Sequence, residues 1–155
     1  MFIYFFGIVL AISSVIIFLF SSGKILSFVF LLINLLNGLS FTITFLQGDL
    51  NAPEIRNQIK ALGPYDLVVC DAAPKTTGNR TVDTARSEQL VEMAVWYAQA
   101  MLKQGGNFAV KIFQNGDQQA ILKSMREIFT SAKGFKPEAC RSESFETYLV
   151  GINKK

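Results

Sequence analysis

Lys111 stands in the middle of an apolar stretch, NFAVKIFQ (residues 107–114), that reads as a buried β-strand. Burial of an ammonium group is costly unless carboxylates pair with it. Asp71, at the end of the apolar strand YDLVVC, and Glu146, at the start of ETYLV, are placed to do so. Such a lysine can act as a general base or stabilise a developing oxyanion, so these three residues form a candidate catalytic cluster. The alternative is a lysine near a strand end whose ammonium reaches solvent.

Other common catalytic and metal-binding patterns are missing. The chain has no histidine, which excludes Ser-His-Asp triads and most zinc sites. Cys70 and Cys140 lie far apart and form no CxxC pair, which favours two reduced thiols in a cytoplasmic protein. No Walker A, zinc-ligand or GxSxG pattern is present, and the sequence predicts no metal site.

Basic residues outside the cluster are interpreted in two ways. Taken singly, they are ordinary surface charges of a chain with a net charge of +3: Lys75, Arg80, Arg86, Lys133, Lys136 and Arg141. Several flank the same edge as Asp71, which favours a phosphate-binding rim. The second interpretation predicts an RNA contact through Lys75, Arg80, Arg86 and Arg141.

The elements that must position these residues alternate along the chain. Asn51 as N-cap and Pro53 in the first turn predict a helix to about Leu62, before the strand at 65–70. A second helix, from about Val82 to Lys103, ends at a Gly-Gly pair, and NFAVKIFQ follows. A third helix, capped by Asn115 or Asp117, and two strand-like pieces complete the pattern.

Two of these helices carry apolar stripes at helical spacing, which are core stripes. They comprise Leu90, Ala94, Tyr97 and Met101 in the second helix, and Ile121, Leu122, Met125, Ile128 and Phe129 in the third. The order of elements predicts an α/β fold with a mostly parallel, doubly wound sheet and a terminal antiparallel hairpin. Ligands of such sheets collect at the carboxyl ends of strands, where Asp49 and Asp71 fall.

The segment 1–44 differs sharply from the remainder, 45–155, and Lys24 is its only charged residue. Its long apolar runs are typical of a membrane hairpin. They are equally typical of buried parallel strands, such as GKILSFVF and FTITFLQGD, in a degenerate first part of the fold. A third interpretation is a T-rich gene read in a wrong frame. The first interpretation places the protein in the membrane, and the second places it in the cytoplasm.

Four segments resemble, in order, the FtsJ/RrmJ-like ribosomal RNA large subunit 2′-O-methyltransferase family (RlmE). They read FLQGDL, YDLVVCDAAPKTTGNRTVDTARSEQLVEMA, LKQGGNFAVKIFQ and KPEACRSESFETYLV. The D-A-A-P loop, the V-K-x-F-Q strand and the E-x-Y-x-V strand fall in the family's order and spacing. The resemblance covers the chain from about Gly23 or Phe45 onward.

The resemblance implies a Rossmann-like fold that binds S-adenosyl-L-methionine and methylates the 2′-hydroxyl of a uridine ribose in 23S rRNA of the large ribosomal subunit. The family's catalytic set is lysine, aspartate, lysine and glutamate, and Asp71, Lys111 and Glu146 match the last three. Asp49 matches an aspartate at the adenine end of the cofactor, and Asp71 also borders the cofactor pocket.

The chain departs from the family pattern before Asp49. Residues 5–12 read FFGIVLAI where a glycine-rich cofactor loop is expected, and Val29 stands where an acidic residue is expected. The family's first catalytic lysine has no counterpart. An N-terminally truncated or altered member would have this pattern. The alternative function is therefore a catalytically inactive, membrane-anchored or RNA-binding remnant of such an enzyme.

Overall fold

The computed structural model describes residues 16–19, 46–114, 118–137 and 144–155 of the chain. Strands and helices alternate through the described part. The elements are β1 (Ile16–Leu19), α1 (Pro53–Ala61), β2 (Tyr65–Cys70), α2 (Arg80–Met101), β3 (Leu102–Phe113), α3 (Gln118–Ile128), β4 (Phe129–Phe135) and β5 (Glu146–Lys154).

The strands form one mixed sheet in the order β1-β2-β3-β5-β4. The first three strands are parallel, while β5 runs antiparallel to both β3 and β4. The predicted α/β fold, with a mostly parallel sheet and a terminal antiparallel hairpin, is confirmed. The hairpin begins earlier than expected because Phe129, predicted on the stripe of the third helix, starts β4 instead. Its ring lies against Gly151 and stacks on Phe108 at a centroid distance of 5.9 Å.

The predicted N-cap of α1 is wrong, since Ala52 and not Asn51 occupies that position. The backbone N–H of Asn51 donates to Asp49 Oδ1 at 2.9 Å, which closes a turn ahead of the helix. The side-chain oxygen of Asn51 accepts from Arg56 Nη2 at 3.1 Å. With Asn51 held in this turn, Pro53 starts the helix as expected, and Leu62 caps its end.

Helix α2 begins and ends about two residues before its predicted bounds. Asn79 caps its start by accepting from the N–H groups of Thr81 and Val82. The predicted stripe of Leu90, Ala94, Tyr97 and Met101 is buried. The Gly-Gly pair lies within β3, where the pairing register with β2 shifts. Gly105 takes a positive φ of 76°, and a Cβ on Gly106 would lie 2.9 Å from the Lys103 carbonyl oxygen.

The two faces of the sheet differ in burial. One face packs against α2 and α3 through fully buried side chains, which include Phe108, Val110, Ile112 and Leu149. Side chains of alternate residues point to the other face. We call it the front face and define it by Lys111 on β3, Glu146, Tyr148 and Val150 on β5, and Lys133 and Phe135 on β4. All six are partly or fully exposed.

Within the N-terminal apolar segment, Ile16–Leu19 form a strand that pairs in parallel with β2. This strand is not one of the two that the sequence predicts there. The predicted strand GKILSFVF, most of FTITFLQGD, most of the predicted membrane spans and the predicted caps Asn115 and Asp117 lie outside the described residues. Among the helices of the described part, none combines the length and apolar character needed to cross a membrane.

Candidate active site

Lys111 lies between the two carboxylates proposed as its partners. Its Nζ is 3.0 Å from Asp71 Oδ1 and 3.9 Å from Glu146 Oε1. The lysine side chain is 11% exposed, whereas Asp71 and Glu146 are 33% and 41% exposed. The ammonium is therefore shielded while its partners border solvent. The structure brings together the three residues that the sequence proposes as a catalytic cluster.

Strand register explains this convergence. Cys70 pairs with Val110, so the next residue of each strand, Asp71 and Lys111, come side by side at the carboxyl ends of two parallel strands. The antiparallel β5 starts at the same edge, because Glu146 pairs with Phe113. Parallel and antiparallel strands thus present three charged side chains at one sheet edge.

Tyr148 is a fourth member of the cluster, and sequence reasoning missed it. It pairs directly with Lys111 across the β3–β5 ladder, and its hydroxyl donates to Asp71 Oδ1 at 3.1 Å. The signal in the sequence is the alternation of Glu146 and Tyr148, which places both on one face of a strand. To infer from this alternation that Tyr148 lies beside Lys111 requires the register of β5 against β3, which a single sequence does not supply.

The loop after Asp71 is held by a buried carboxylate at the start of α2. Asp83, 4% exposed, accepts from the N–H and hydroxyl of Thr77, both at 2.8 Å, and from the N–H of Gly78 at 3.3 Å. Burial opposes ionisation of Asp83, but the hydrogen bonds from Thr77 and Gly78 and the charge of Arg86 outweigh it, and its pKa is lowered. Gly78 has a positive φ of 83°, which suits glycine at this turn.

Three of the four proposed RNA-contacting cations lie on or beside this loop. The guanidinium of Arg86 donates to the carbonyl oxygen of Lys75 at 3.4 Å. The Cζ atom of Arg80 lies 5.6 Å from the centroid of the Phe145 ring. That ring contacts the ring of Phe113 edge-on, with 4.7 Å between the centroids. Phe145 directly precedes Glu146, so Arg80 adjoins the candidate catalytic cluster. Arg141 lies outside the described residues.

Asp49 lies in the turn before α1 and is exposed. The carbonyl of the next residue, Leu50, accepts from the Tyr97 hydroxyl at 2.7 Å and from Arg56 Nε at 3.1 Å. Burial raises the pKa of Tyr97 to about 12, so its hydroxyl remains a donor at neutral pH. These contacts fix the backbone that carries Asp49 and leave the carboxylate at the surface.

Two further features of the described part concern cysteine chemistry and metal binding. Burial raises the pKa of the Cys70 thiol to about 12, and the hydrogen bond from Ala72 and the charge of Lys111 only partly offset this, so the thiol stays protonated and a poor nucleophile. In the part of the chain that the structure describes, no three His, Cys, Asp or Glu side chains gather where they could hold a metal ion.

The sequence of the chain is similar to those of known methyltransferases. Residues 24–154 match the family model for FtsJ-like methyltransferases. A protein of Treponema denticola, described as ribosomal RNA large subunit methyltransferase E, is 62% identical over 113 residues, which cover 73% of this chain and 57% of that protein. Proteins of the same description from Oleidesulfovibrio alaskensis and Neisseria meningitidis serogroup C are each 44% identical and cover 73% of this chain and 56% of the relative. The chain thus spans slightly more than half the length of these curated relatives.

The fold has a counterpart among solved structures. A Plasmodium falciparum protein described as a ribosomal RNA methyltransferase superposes with a TM-score of 0.56 over 68% of this chain and 56% of that protein. Sequence identity in this pair is 21%, so the likeness concerns the fold alone.

Proposed function

This chain belongs to the FtsJ-like methyltransferase family, and from that premise we propose that it methylates the 2′-hydroxyl of a uridine ribose in 23S rRNA of the large ribosomal subunit. The methyl donor is S-adenosyl-L-methionine. The observation that carries the proposal is the shielded Lys111, held 3.0 Å from Asp71 and 3.9 Å from Glu146 at the carboxyl edge of the sheet. The description of the relatives as ribosomal RNA large subunit methyltransferases supports the class of substrate.

The residues at this edge fit the proposed donor. S-adenosyl-L-methionine carries a positive sulfonium and an ammonium group, and it supplies an electrophilic methyl group. Asp71, partly exposed just after the carboxyl end of β2, and Asp49, exposed in the turn before α1, provide acceptor oxygens and negative charge. Asp49 binds the adenine end, and Asp71 borders the same pocket.

Lys111 acts on the ribose hydroxyl. Its Nζ orients the 2′-oxygen through a hydrogen bond. In its unprotonated form it takes up the hydroxyl proton as that oxygen bonds to the methyl carbon, while the bond from this carbon to the donor's sulfur breaks and leaves a neutral thioether. Asp71 and Glu146 stabilise the ammonium that results, and both lie within 4 Å of Nζ. Tyr148 holds Asp71 through its hydroxyl, which fixes the carboxylate oxygen that faces the lysine.

The RNA enters over the loop that carries the basic rim. Lys75, Arg80, Arg86 and Arg141 neutralise phosphates on either side of the target nucleotide. A protein with this substrate works in the cytoplasm, where ribosomal subunits are assembled.

A second candidate function is RNA binding without methyl transfer, in a remnant of such an enzyme. The observation that favours it is the apolar sequence FFGIVLAI at residues 5–12, in place of a glycine-rich cofactor loop. Membrane anchorage through residues 1–44 is a variant of this candidate. The two functions differ in one measurable property, the affinity for the methyl donor.

Calorimetric titration of the full chain with S-adenosyl-L-methionine tests the proposal. We expect micromolar binding that Asp71→Asn weakens at least about tenfold, since the side chain loses its negative charge and one acceptor oxygen. Asp66→Asn, on the same strand β2 but at its opposite end, is the matched control and should bind like the unaltered protein. No detectable binding by a folded sample would leave the non-catalytic candidate.

Methyl transfer is then measured with radiolabelled donor and undermethylated large subunits. Nuclease digestion should yield 2′-O-methyluridine as the labelled nucleoside. Label on a base, or on no RNA at all, would contradict the proposed reaction.

A further inference from the structure

The front face continues from the catalytic cluster to the edge of the sheet. Lys111 pairs with Tyr148 across β3 and β5, and Tyr148 pairs with Phe135 across β5 and β4. Residues paired in this way point to the same face, so Lys111, Tyr148 and Phe135 form one row. With strands about 4.8 Å apart, Phe135 lies about 10 Å from Lys111.

Phe135 is an exposed aromatic ring on a fixed backbone. Its relative exposure is 53%, above that of the other exposed large apolar residues in the described part of the chain. Its carbonyl accepts from the Thr147 hydroxyl at 3.0 Å, and its strand is paired with β5 throughout. A ring held in this manner loses little conformational entropy when a flat partner stacks on it.

Two lysines lie beside this ring. Lys133 is two residues away on β4 and therefore on the same face, and its side chain is exposed. Lys136 follows the ring by one residue, and its Nζ donates to the Ser144 carbonyl at 2.9 Å, close to Glu146. An exposed aromatic ring with a lysine on the same face, as Phe135 and Lys133 provide here, is an arrangement with which proteins bind single-stranded nucleic acid.

We propose that Phe135, Lys133 and Lys136 form a subsite for a nucleotide that neighbours the methylated one, with its base stacked on Phe135 and its phosphates near the two lysines. The proposal rests on the methylation of RNA inferred above and specifies the form of the substrate. The target strand is single-stranded over this face, because a base in a duplex is stacked on its neighbours and is not free to lie on the ring.

The first test is binding of a fluorescein-labelled 12-nucleotide oligouridylate to the full chain, followed by anisotropy. We expect Phe135→Ala to weaken binding about tenfold, which is the scale of one lost base–aromatic stack, and Phe135→Trp to restore it. Leu62→Ala is the matched control, since Leu62 is also an exposed apolar residue, 39% exposed, at the end of α1. Equal affinities of Phe135→Ala and Leu62→Ala would overturn the proposal, as would failure of the unaltered protein to bind the oligonucleotide.

An abasic oligonucleotide of the same length separates stacking from charge. The unaltered protein and Phe135→Ala should bind it equally, because no base is present to stack. A loss of affinity for this probe in Phe135→Ala would contradict a stacking role. Lys133→Ala should weaken both probes and lower the slope of log affinity against log salt by about one, whereas Lys123→Ala, exposed on α3, should change neither.

The proposed subsite and the proposed methylation can be tested separately, because each can fail without the other. Methyl transfer without any effect of Phe135→Ala on RNA affinity would overturn the subsite and leave the reaction intact. The reverse result, RNA binding that depends on Phe135 in a chain that transfers no methyl group, would overturn the reaction alone. Sedimentation tests a third outcome. If the unaltered protein is a dimer and Phe135→Ala is a monomer with unchanged RNA binding, the face belongs to an interface with a second copy of the chain, and the subsite is overturned.

Discussion

The two ends of the β2–β3 strand pair each carry a lysine–aspartate ion pair, and the two pairs differ in their surroundings. At the amino end Lys103 pairs with Asp66, and the lysine side chain is 48% exposed. At the carboxyl end Lys111 pairs with Asp71, and the lysine is only 11% exposed. Residue types and strands are the same, so the environment alone distinguishes the pairs.

The Lys111–Asp71 pair has further partners. Glu146 and Tyr148 reach the Lys111–Asp71 pair from the antiparallel strand β5 and complete a four-residue cluster. The pair at the amino end is largely screened by solvent, where an ion pair contributes under about 1 kcal/mol. An ion pair at a sheet edge thus becomes a candidate for catalysis when a further strand shields it and adds a second acid.

Replacement of the shielded lysine is expected to have the largest effect. Lys111→Ala removes the group proposed to take up the hydroxyl proton and should lower the rate of methyl transfer at least about a hundredfold. Lys103→Ala should stay within a few-fold of the unaltered protein. Both are measured with radiolabelled donor and large-subunit RNA, and circular dichroism checks that each variant is folded. Equal losses of rate in the two variants would show that shielding of the Lys111–Asp71 pair does not give it a special role in methyl transfer.

Acidification is expected to act on the loop at the carboxyl end through Asp83. Its folded pKa lies below the unfolded value of about 3.9, so its contribution to stability is complete above that pH and is lost as pH falls through the folded pKa. In Asp83→Asn the N–H of Gly78 loses its acceptor. The urea midpoint should therefore be lower in Asp83→Asn at neutral pH, and the difference should shrink below about pH 4.

Glu92→Gln provides the control for this measurement. Glu92 is exposed on the same helix α2, so its replacement should leave the urea midpoint unchanged at both pH values. A difference between Asp83→Asn and the unaltered protein that grows on acidification would contradict the assigned role.

Removal of the Tyr148 hydroxyl tests the contribution of β5 to the shielded pair. Tyr148→Phe loses one hydrogen bond to Asp71, which is worth about 1 kcal/mol, and the rate of methyl transfer should fall about fivefold. Donor affinity and RNA affinity should change less than the rate. A variant with unaltered rate would restrict the cluster to Lys111, Asp71 and Glu146.

The smallest effect is expected at the exposed pair. Lys103→Ala should lower the free energy of unfolding by under about 1 kcal/mol at low salt, and by less at 1 M NaCl, because solvent ions screen surface charges. Urea titrations at the two salt concentrations measure the difference. A loss of several kcal/mol that salt does not reduce would place this pair in the same class as the shielded one.

Sequence reasoning identified the parts of the site that depend on local pattern. A lysine in an apolar strand and acids at the ends of neighbouring strands predicted Lys111, Asp71 and Glu146, which the structure places together. The apolar stripe of α2 followed from helical spacing in the same way. Strand order in such folds is restricted enough for neighbouring ends to be anticipated.

Features that depend on distant partners were missed or wrong. Tyr148 required the register of β5, and Asp83, which holds the loop after Asp71, required the path of that loop. The N-cap assigned to Asn51 failed because Asp49 and Arg56 compete for its polar groups. In each case the deciding contact joins residues whose proximity the local sequence does not show.

The position of β5 within the sheet has a consequence for synthesis on the ribosome. β5 is made after β4, yet it lies between β3 and β4 and pairs with both. Until β5 leaves the exit tunnel, the nascent chain therefore exposes an unpaired edge of β3, and such edges invite aggregation. The same strand delivers Glu146 and Tyr148, so the cluster around Lys111 is assembled at the moment when the sheet closes. Nascent chains released before β5 should bind chaperones, and release after β5 should end that dependence.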